Sequence, residues 1–522
     1  MNSFDFLYPV RAEIAIDGHI NKPFSLSNGI ARVSDVIVEL KKNNGDVDVN
    51  ITSSKSLISH LYLFYKIQCD SSFRVFGDAI ERGYGEMGWE KPNNTHQMFW
   101  YFFLHDETIK RLQCFGVKVQ PRSIVSFKIM GNLLKVDINV QSGGGGVNLD
   151  GRTLTAVSFF YEDVFYHDLF TQCKSFIKKM MDGFETKKRP ANVYGFNNWY
   201  YAYGNSSYEK IIEDTLLLEK LTRGLSNRPY MVIDDGWSVN PCSGPWEANV
   251  KFKDMKRLAL EIKSHNVKPG IWFRPLKDLS GDLKAYRHPL NPELFDLSQP
   301  EVIERIKQDV RRFVDWGYEL IKFDFVTVDV YLKYGFQMNE SLCDQGWRFK
   351  DNHFTNAEML LNLYKAIREA APKAVLIGCN AIPHLSAGIV ELNRVGDDTS
   401  GIEWNRTLKY GVNSLAFRMM QNGIFYAIDG DCVGITGKID WKQNKEWLRL
   451  LSWSGTPLFV SIDPLCCTEE IENDLKHAFQ INGERNLTCI PTDWLENNLP
   501  TQWEIKGEIK TFHWNVDENI NW

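Results

Sequence analysis

Three short stretches carry residues whose types and spacing could do chemistry. Asp234 and Asp235 stand side by side before Gly236-Trp237. Lys322 and Asp324 are separated by Phe323, and Arg394 is followed by the acid pair Asp397-Asp398. A lysine and an aspartate two apart on a strand face the same side, with Phe323 on the other. A cation beside Asp324 would keep that carboxylate charged, as a nucleophile requires. Asp398 offers a second carboxyl that could protonate a leaving oxygen from across a sugar. Two opposed carboxyl groups are the machinery of glycoside hydrolysis.

Plainer readings exist for each feature. Lys322 and Asp324 could form a satisfied core ion pair. Asp234 and Asp235 could cap a following helix, and Asp397-Asp398 could be loop acids. Tryptophans such as Trp199, Trp237 and Trp272, taken singly, pack cores more often than they cradle the apolar face of a sugar. Clustered acids can also hold a divalent metal, but the region lacks histidine-rich strand ends, so no metal and no cofactor is expected. The functional reading gains because all these groups fall at the same end of successive predicted strands.

Those strands alternate with amphipathic segments from about residue 191 to 481, which is the pattern of βα units and a parallel sheet. Eight are read: VYGFNN from Val193, YMVIDD from Tyr230, KPGIWF from Lys268, LIKFDF from Leu320, AVLIGC from Ala374, ELNRVG from Glu391, GIFYAI from Gly423 and PLFVSI from Pro457. Helical periodicity is clear in YEKIIEDTLLLEKLTRG, NAEMLLNLYKAIREA and PEVIERIKQDVRRFVDWG, the last opened by Pro300. The predicted fold class is α/β, a (β/α)8 TIM barrel whose active site lies at the C-terminal ends of its strands. Before it, residues 1–162 alternate with a period of two and turn at runs such as Gly143-Gly144-Gly145-Gly146, predicting an N-terminal β-sandwich. Residues 163–190 predict a linker helix ending in ETKKRP, and 482–522 a small C-terminal β appendage containing QWEIKGEIKTFHW.

The chain has 522 residues, 43% hydrophobic and 24% charged, with a net charge of -6. Such a balance offers no basic stripe for nucleic acid and no cationic cluster for lipid. No apolar run is long enough to span a bilayer, and the first residues, MNSFDFLYPV, lack the form of a secretory signal. The ten cysteines show no CxxC pair or metal-ligand spacing. Reduced thiols, a cytoplasmic address and a neutral partner are therefore expected, and a homo-oligomer is allowed.

At these motifs the sequence resembles the clan D glycoside hydrolases, above all the family-36 α-galactosidases and the related raffinose and stachyose synthases. The resemblance rests on the order of Trp199, Asp234-Asp235-Gly236-Trp237, Lys322-Phe323-Asp324, Gly378-Cys379 and Arg394 to Asp398. It includes the approach HPLNPELFDLSQPEVIERIKQDVRRFVDWGYELIKFDF, and spans roughly Asn192 to Pro464. It implies a retaining exo-α-galactosidase acting on an oligosaccharide or galactoside, with Asp324 as nucleophile and Asp398 as general acid/base. It further implies that Asp234 and Asp235 accept hydrogen bonds from the 4- and 6-hydroxyls, and that Lys322 and Arg394 hold other ring hydroxyls. Trp199 and Trp272 would line the pocket and Cys379 would lie beside it. An α-N-acetylgalactosaminidase, a raffinose-synthase-like galactosyl transferase and a non-catalytic carbohydrate-binding relative are the alternatives.

The chain departs from the family pattern at Asn197-Asn198, where small Ser or Cys residues are common. It departs again at Arg274, where Glu or a small residue is frequent. The insert from about Val326 to Asn352 is its own. The leaving-group side is therefore where this chain is expected to differ.

Overall fold

Alternation in the first third of the chain produces antiparallel strands, as in Asp46–Thr52, where Val47, Val49 and Ile51 point inward, and Leu133–Asn139, where Leu134, Val136 and Ile138 do. In the computed structural model, which describes residues 4–185, 192–338, 341–484 and 487–515, thirteen strands of this region join in one antiparallel sheet. The strand Gln97–Asp106 is buried over almost its whole length. Met98, Phe102 and Leu104 enter the core of the antiparallel unit, whereas Phe99, Trp100, Tyr101 and Phe103 pack into the larger core that follows. One strand thus glues two layers together, which is why it reads as a continuous apolar run.

The expected linker helix begins later than its periodicity suggested. The strand Thr153–Phe165 first completes its ladder, with Asp163 opposite Gln113 and Phe165 opposite Arg111. The helix Leu169–Met180 follows, its first turn capped by Asp168 through Thr171 N at 2.7 Å. Most of ETKKRP, residues 186–190, lies outside the described residues, as do 516–522 of the C-terminal region.

The second part of the chain builds a nine-stranded parallel sheet. Its strands are β1 (Tyr194–Asn197), β2 (Tyr230–Ile233), β3 (Lys268–Phe273), β4 (Leu320–Phe323), β5 (Val375–Gly378), β6 (Leu392–Arg394), β7 (Ala427–Asp429), β8 (Val433–Ile435) and β9 (Leu458–Ile462). The order is β7-β6-β5-β4-β3-β2-β1-β9-β8. Its two edges, β7 and β8, are consecutive in the chain and separated only by Gly430-Asp431-Cys432, so the sheet curls until its edges share one segment. The expected seventh strand, from Gly423, is displaced. Gly423, at a φ of +77°, turns the chain, its N–H donating to the Tyr426 carbonyl at 2.7 Å, and the strand starts at Ala427.

Helices cover the sheet as their patterning dictates. Pro300 opens Pro300–Trp316, and Gly317 closes it at a φ of +99°. Thr355 and Glu358 form a capping box at the start of Asn356–Ala370. The helix Glu469–Glu484 runs through the expected boundary at 481/482. Beyond it, Cys489–Pro491, Gln502–Ile505 and Glu508–Thr511 form a three-stranded antiparallel sheet. Among the described residues no helix is long and apolar enough to cross a membrane, and none of the ten cysteines is disulfide-bonded.

Two buried acids make the packing testable. Asp214, on the inner face of the helix Tyr208–Leu221, accepts from the Tyr201 hydroxyl. Burial pushes its carboxyl from 3.8 up to about 7. The folded state therefore holds this proton more tightly than the unfolded chain. The resulting stability is full below the unfolded value and is lost as pH rises through about 7. Asp214→Asn is expected to raise stability at pH 8 by roughly 2–4 kcal/mol and to have little effect at pH 4, as thermal melts at the two pH values will show.

Asp78 ends a strand of the antiparallel unit and meets Arg418 at 2.9 Å, with both side chains at most 1% exposed. Gln421 Nε2 donates to the same carboxylate at 2.8 Å, and Arg418 also donates to the Val395 carbonyl at 3.0 Å. Removing one partner of a buried pair strands the other charge. Arg418→Met is expected to cost about 3–5 kcal/mol in chemical denaturation. The double variant with Asp78→Leu should recover much of the loss.

Candidate active site

The first parallel strands end in side chains that organise one another. Asn197, at the end of β1, donates from Nδ2 to Asp234 Oδ2 at 2.7 Å, and Asn198 Oδ1 accepts from Asp234 N at 2.8 Å. The departure from small residues at these positions thus has a task, which is to hold the first acid of the β2 end. The strand stops at Ile233, and the chain turns at Gly236, φ +107°. A Cβ there would sit 2.4 Å from the Gly204 carbonyl oxygen, so only glycine lets the two backbones cross. Freed from alternation by this turn, Asp234 and Asp235 both face one cavity. Asp235 accepts from Cys242 N at 2.9 Å, and burial raises its pKa.

Lys322 does not pair directly with Asp324, as the two-residue spacing had suggested. Its ammonium donates to Asp234 Oδ2 at 2.8 Å. Burial opposes its charge, yet Asp234 and other nearby negative groups hold its pKa well above the usual lysine range. Asp324 follows the last residue of β4 and is gripped from two other directions. Trp272 Nε1 donates to Oδ2 at 3.1 Å, and the Phe325 amide donates to Oδ1 at 2.7 Å. The two bonds fix the direction in which its oxygens point.

Arg394 ends β6 and bridges Asp398 Oδ1 at 3.0 Å and Asp431 Oδ1 at 2.9 Å. The Asp398 side chain is 38% exposed, against 3% for Arg394, so it is the member of this group that reaches the open space. Although burial pushes its pKa upward, the cations of Arg394, Arg82 and Lys322 hold the carboxyl below its usual range.

A cavity of about 400 Å³ gathers Asp234, Asp235, Lys322, Asp324, Arg394 and Asp398, with Trp199 and Trp272 also on its wall. Two residues singled out in the sequence stand behind its wall. Cys379 is buried behind the lining, its amide donating to Phe323 O at 2.9 Å, and its neighbour Asn380 reaches the cavity instead. Trp237 is fully buried among Trp246, Phe313 and Trp316 and donates to the Trp272 carbonyl at 2.9 Å. It supports the wall and cannot meet a ligand. Among the described residues no group of three or more His, Cys, Asp or Glu side chains is arranged to hold a metal ion.

No protein-family model matches the sequence, and no curated protein matches it in sequence. Solved structures do match. The α-galactosidase of Thermus thermophilus, solved with p-nitrophenyl α-D-galactopyranoside, superposes with a TM-score of 0.58 at 16% identity over 96% of this chain and 98% of its own. The galactosidase domain of an α-galactosidase-sucrose kinase gives 0.62 at 14% identity over 96% and 74%. The GH36 α-galactosidase of Geobacillus stearothermophilus gives 0.59 at 12% over 90% and 71%. The chain has the fold of the GH36 α-galactosidases.

Arg274 and the insert, expected to be this chain's own, have defined contacts in the structure. Arg274 stacks over the Phe325 ring at 4.3 Å and donates from Nε to Asp329 at 2.8 Å, so it is locked to the helix Val326–Tyr331 that opens the insert. The insert then runs past the cavity mouth at Tyr334 and Phe336. Further on, Trp347 O accepts from Gly144 N at 3.1 Å. A Cβ on Gly144 would meet the Asp344 carbonyl at 2.0 Å, which explains a glycine in the run that had read only as a turn.

Two charged residues of the site, Asp431 and Arg82, escaped the sequence reading. Asp431 lies between β7 and β8, accepts from Thr399 N at 2.9 Å, and fixes Arg394. The string Asp429-Gly430-Asp431 at a strand end was its available signal. Arg82 comes from the antiparallel unit, 3.2 Å from Asp397 and 4.0 Å from Asp398. The Gly83 amide and carbonyl pair with Val395 O and Asp397 N, seating this loop on the end of β6. No local pattern marks Arg82.

Proposed function

We propose that this protein is a retaining exo-α-galactosidase that removes terminal α-D-galactosyl residues from oligosaccharides. The observation that carries this reading is the convergence of Asp324 and Asp398, from β4 and the β6 end, on one cavity whose floor is a buried Asp234–Lys322 pair. The curled parallel sheet is taken as a (β/α)8 barrel, with the site at the C-terminal ends of its strands, and the antiparallel sheet as a sandwich folded on itself.

In the first step an Asp324 oxygen attacks the anomeric carbon. Asp398 gives its proton to the departing glycosidic oxygen, so the C–O bond breaks as an ester bond to Asp324 forms. In the second step Asp398 takes a proton from water, whose oxygen displaces Asp324 and releases galactose with its configuration retained. Trp272 and the Phe325 amide hold the nucleophile in the orientation this attack needs. Asp234 and Asp235 accept from the 4- and 6-hydroxyls, Lys322 and Arg394 serve other ring hydroxyls, and Trp199 and Trp272 line the ring.

The deciding experiment incubates the purified protein with p-nitrophenyl α-D-galactopyranoside, with the α-glucoside and α-N-acetylgalactosaminide as controls. Proton NMR follows the first anomer of the released sugar. Preferred galactoside turnover giving the α-anomer supports the reading. A first-formed β-anomer rejects retention, and no turnover of any of the three rejects the hydrolase.

A further inference from the structure

The acid pair at the β6 end is held from two sides by arginines that belong to no strand of the parallel sheet. Arg82 comes from the antiparallel unit. Its guanidinium lies 3.2 Å from Asp397 Oδ1 and 4.0 Å from Asp398 Oδ1, and its side chain is 6% exposed. Arg406 approaches from the segment after the acids, donating from Nε to the Asp398 carbonyl at 3.0 Å and reaching Asp397 Oδ2 at 3.8 Å. Each arginine therefore touches both acids, Arg82 through two carboxylates and Arg406 through one carboxylate and one carbonyl.

The seats of both arginines are built. The Glu81 carboxylate accepts from Gly335 N at 2.8 Å, from Asn380 Nδ2 at 2.6 Å and from the Tyr84 hydroxyl, which fixes the chain on either side of Arg82. Gly83 N donates to Val395 O at 2.8 Å, and Gly83 O accepts from Asp397 N at 3.2 Å. On the other side, Arg406 leads into the π-helical turn Thr407–Asn413 and lies over the Tyr410 ring at 5.0 Å. Such wide turns are rare and often stand at functional sites. This one brings the Tyr410 carbonyl so near that a Cβ on Gly396 would sit 1.7 Å from its oxygen, so glycine is what lets the acid loop pack against the turn.

Besides Arg82, Asp398 faces Arg394 from β6, Lys322 from β4, and Tyr200 and Tyr203 from the segment after β1, with Asp397 and Arg406 on its own loop and Asp431 across Arg394. Replacing Arg82 by a neutral side chain removes a cation and leaves the Asp397 charge less compensated, and both changes favour the protonated form of Asp398. Since Asp398 must carry a proton when the glycosidic bond breaks, its titration in the free enzyme sets the alkaline limb of kcat/KM.

Resting on the hydrolase reading above, we propose that Arg82 and Arg406 are positioning residues that clamp the acid pair so that Asp398 meets the glycosidic oxygen, and that the antiparallel unit thereby sets the pH range of hydrolysis. The parallel sheet carries the reacting carboxyls, and the loop around Arg82 completes them.

The test follows raffinose and p-nitrophenyl α-D-galactopyranoside across pH with Arg82→Gln, Arg82→Lys and Arg406→Gln, whose folding is checked by thermal melts. In Arg82→Gln the alkaline limb on raffinose is expected to move up by at least about half a pH unit, and in Arg82→Lys, which keeps the charge, to return toward wild type. In both glutamine variants kcat on raffinose is expected to fall about tenfold with KM within about twofold of wild type, and kcat/KM on the aryl galactoside, whose leaving group needs no proton, to fall less. An unmoved limb in Arg82→Gln, or equal losses on the two substrates in both glutamine variants, overturns the proposal. The Arg406 side chain is 34% exposed, so Arg406→Gln decides the matter if Arg82→Gln does not fold. If wild type cleaves no galactoside, the hydrolase reading fails. Carboxyl titration of aspartate labelled with carbon-13, assigned with Asp398→Asn, then tests the clamp by itself: a raised Asp398 titration in Arg82→Gln supports it, and an unchanged one overturns it.

Discussion

Asp324→Ala is expected to lower kcat/KM for p-nitrophenyl α-D-galactopyranoside by at least about 10⁴-fold while leaving the melting temperature close to that of wild type. The carboxylate is half-buried, and its two donors, Trp272 Nε1 and the Phe325 amide, face a cavity where water can replace it. Folding should therefore survive, but no group remains to form the covalent intermediate. Removing the side chain also opens space beneath the anomeric carbon. Added azide should enter that space, displace nitrophenolate directly and give the β-galactosyl azide. Activity within tenfold of wild type would remove Asp324 from the nucleophile role.

Asp398→Ala should show a different dependence on the leaving group. A positioned acid contributes about 10²–10⁴-fold, so hydrolysis of raffinose, whose leaving alcohol needs a proton, is expected to fall by that factor. Nitrophenolate departs without protonation, so the first step with the aryl galactoside should lose much less, and a burst of nitrophenol should precede slow turnover. Azide, which needs no base, should restore the second step. Equal losses on both substrates would mean that Asp398 only holds Arg394 and Arg82 in place. The carboxyl sits among the cations Arg394, Arg82 and Lys322, which lower its pKa. Bound sugar must offset those cations before Asp398 can carry the proton of the first step.

The buried pair that joins the two parts of the molecule bears on both results. Arg418 binds the Val395 carbonyl as well as Asp78, and Val395 precedes the acids of the β6 end. Weakening this junction would disturb both Arg82 and Asp398. Activity measurements on Arg418→Met should therefore be compared with its stability before any loss is assigned to chemistry.

Much of this architecture was legible in short stretches of sequence. A period of two placed Val47, Val49 and Ile51 inward, and Pro300 and Gly317 bounded a helix from its own residues. Strand ends are local events too, so the acids at Asp234-Asp235, Asp324 and Asp397-Asp398 could be found by asking where apolar runs stop. Gly236 announced the turn that lets two adjacent acids share a side. Side-chain partners were not legible in this way. Lys322 was assigned to Asp324 because alternation shows which side chains share a face, but the pull of Asp234 comes from the neighbouring part of the sheet. Whether Trp237 was a platform or a core residue was open in the sequence, and its depth is set by the helix Pro300–Trp316 packing over it. The late start of the helix at Leu169 was decided by a ladder with residues about fifty positions away.

What the sequence by itself determined is the set of elements and the acids at their ends, because backbone preference and side-chain periodicity act over a few residues. Only the tertiary structure decided that Arg82 from the antiparallel unit, Asp431 from between β7 and β8, and Tyr334 and Phe336 from the insert complete the same cavity. Their placement depends on contacts between distant segments, Glu81 with Gly335 and Asn380, Gly83 with Val395 and Asp397. Such contacts leave no periodic trace in the chain, since each is made by single residues that docking alone brings within hydrogen-bond distance.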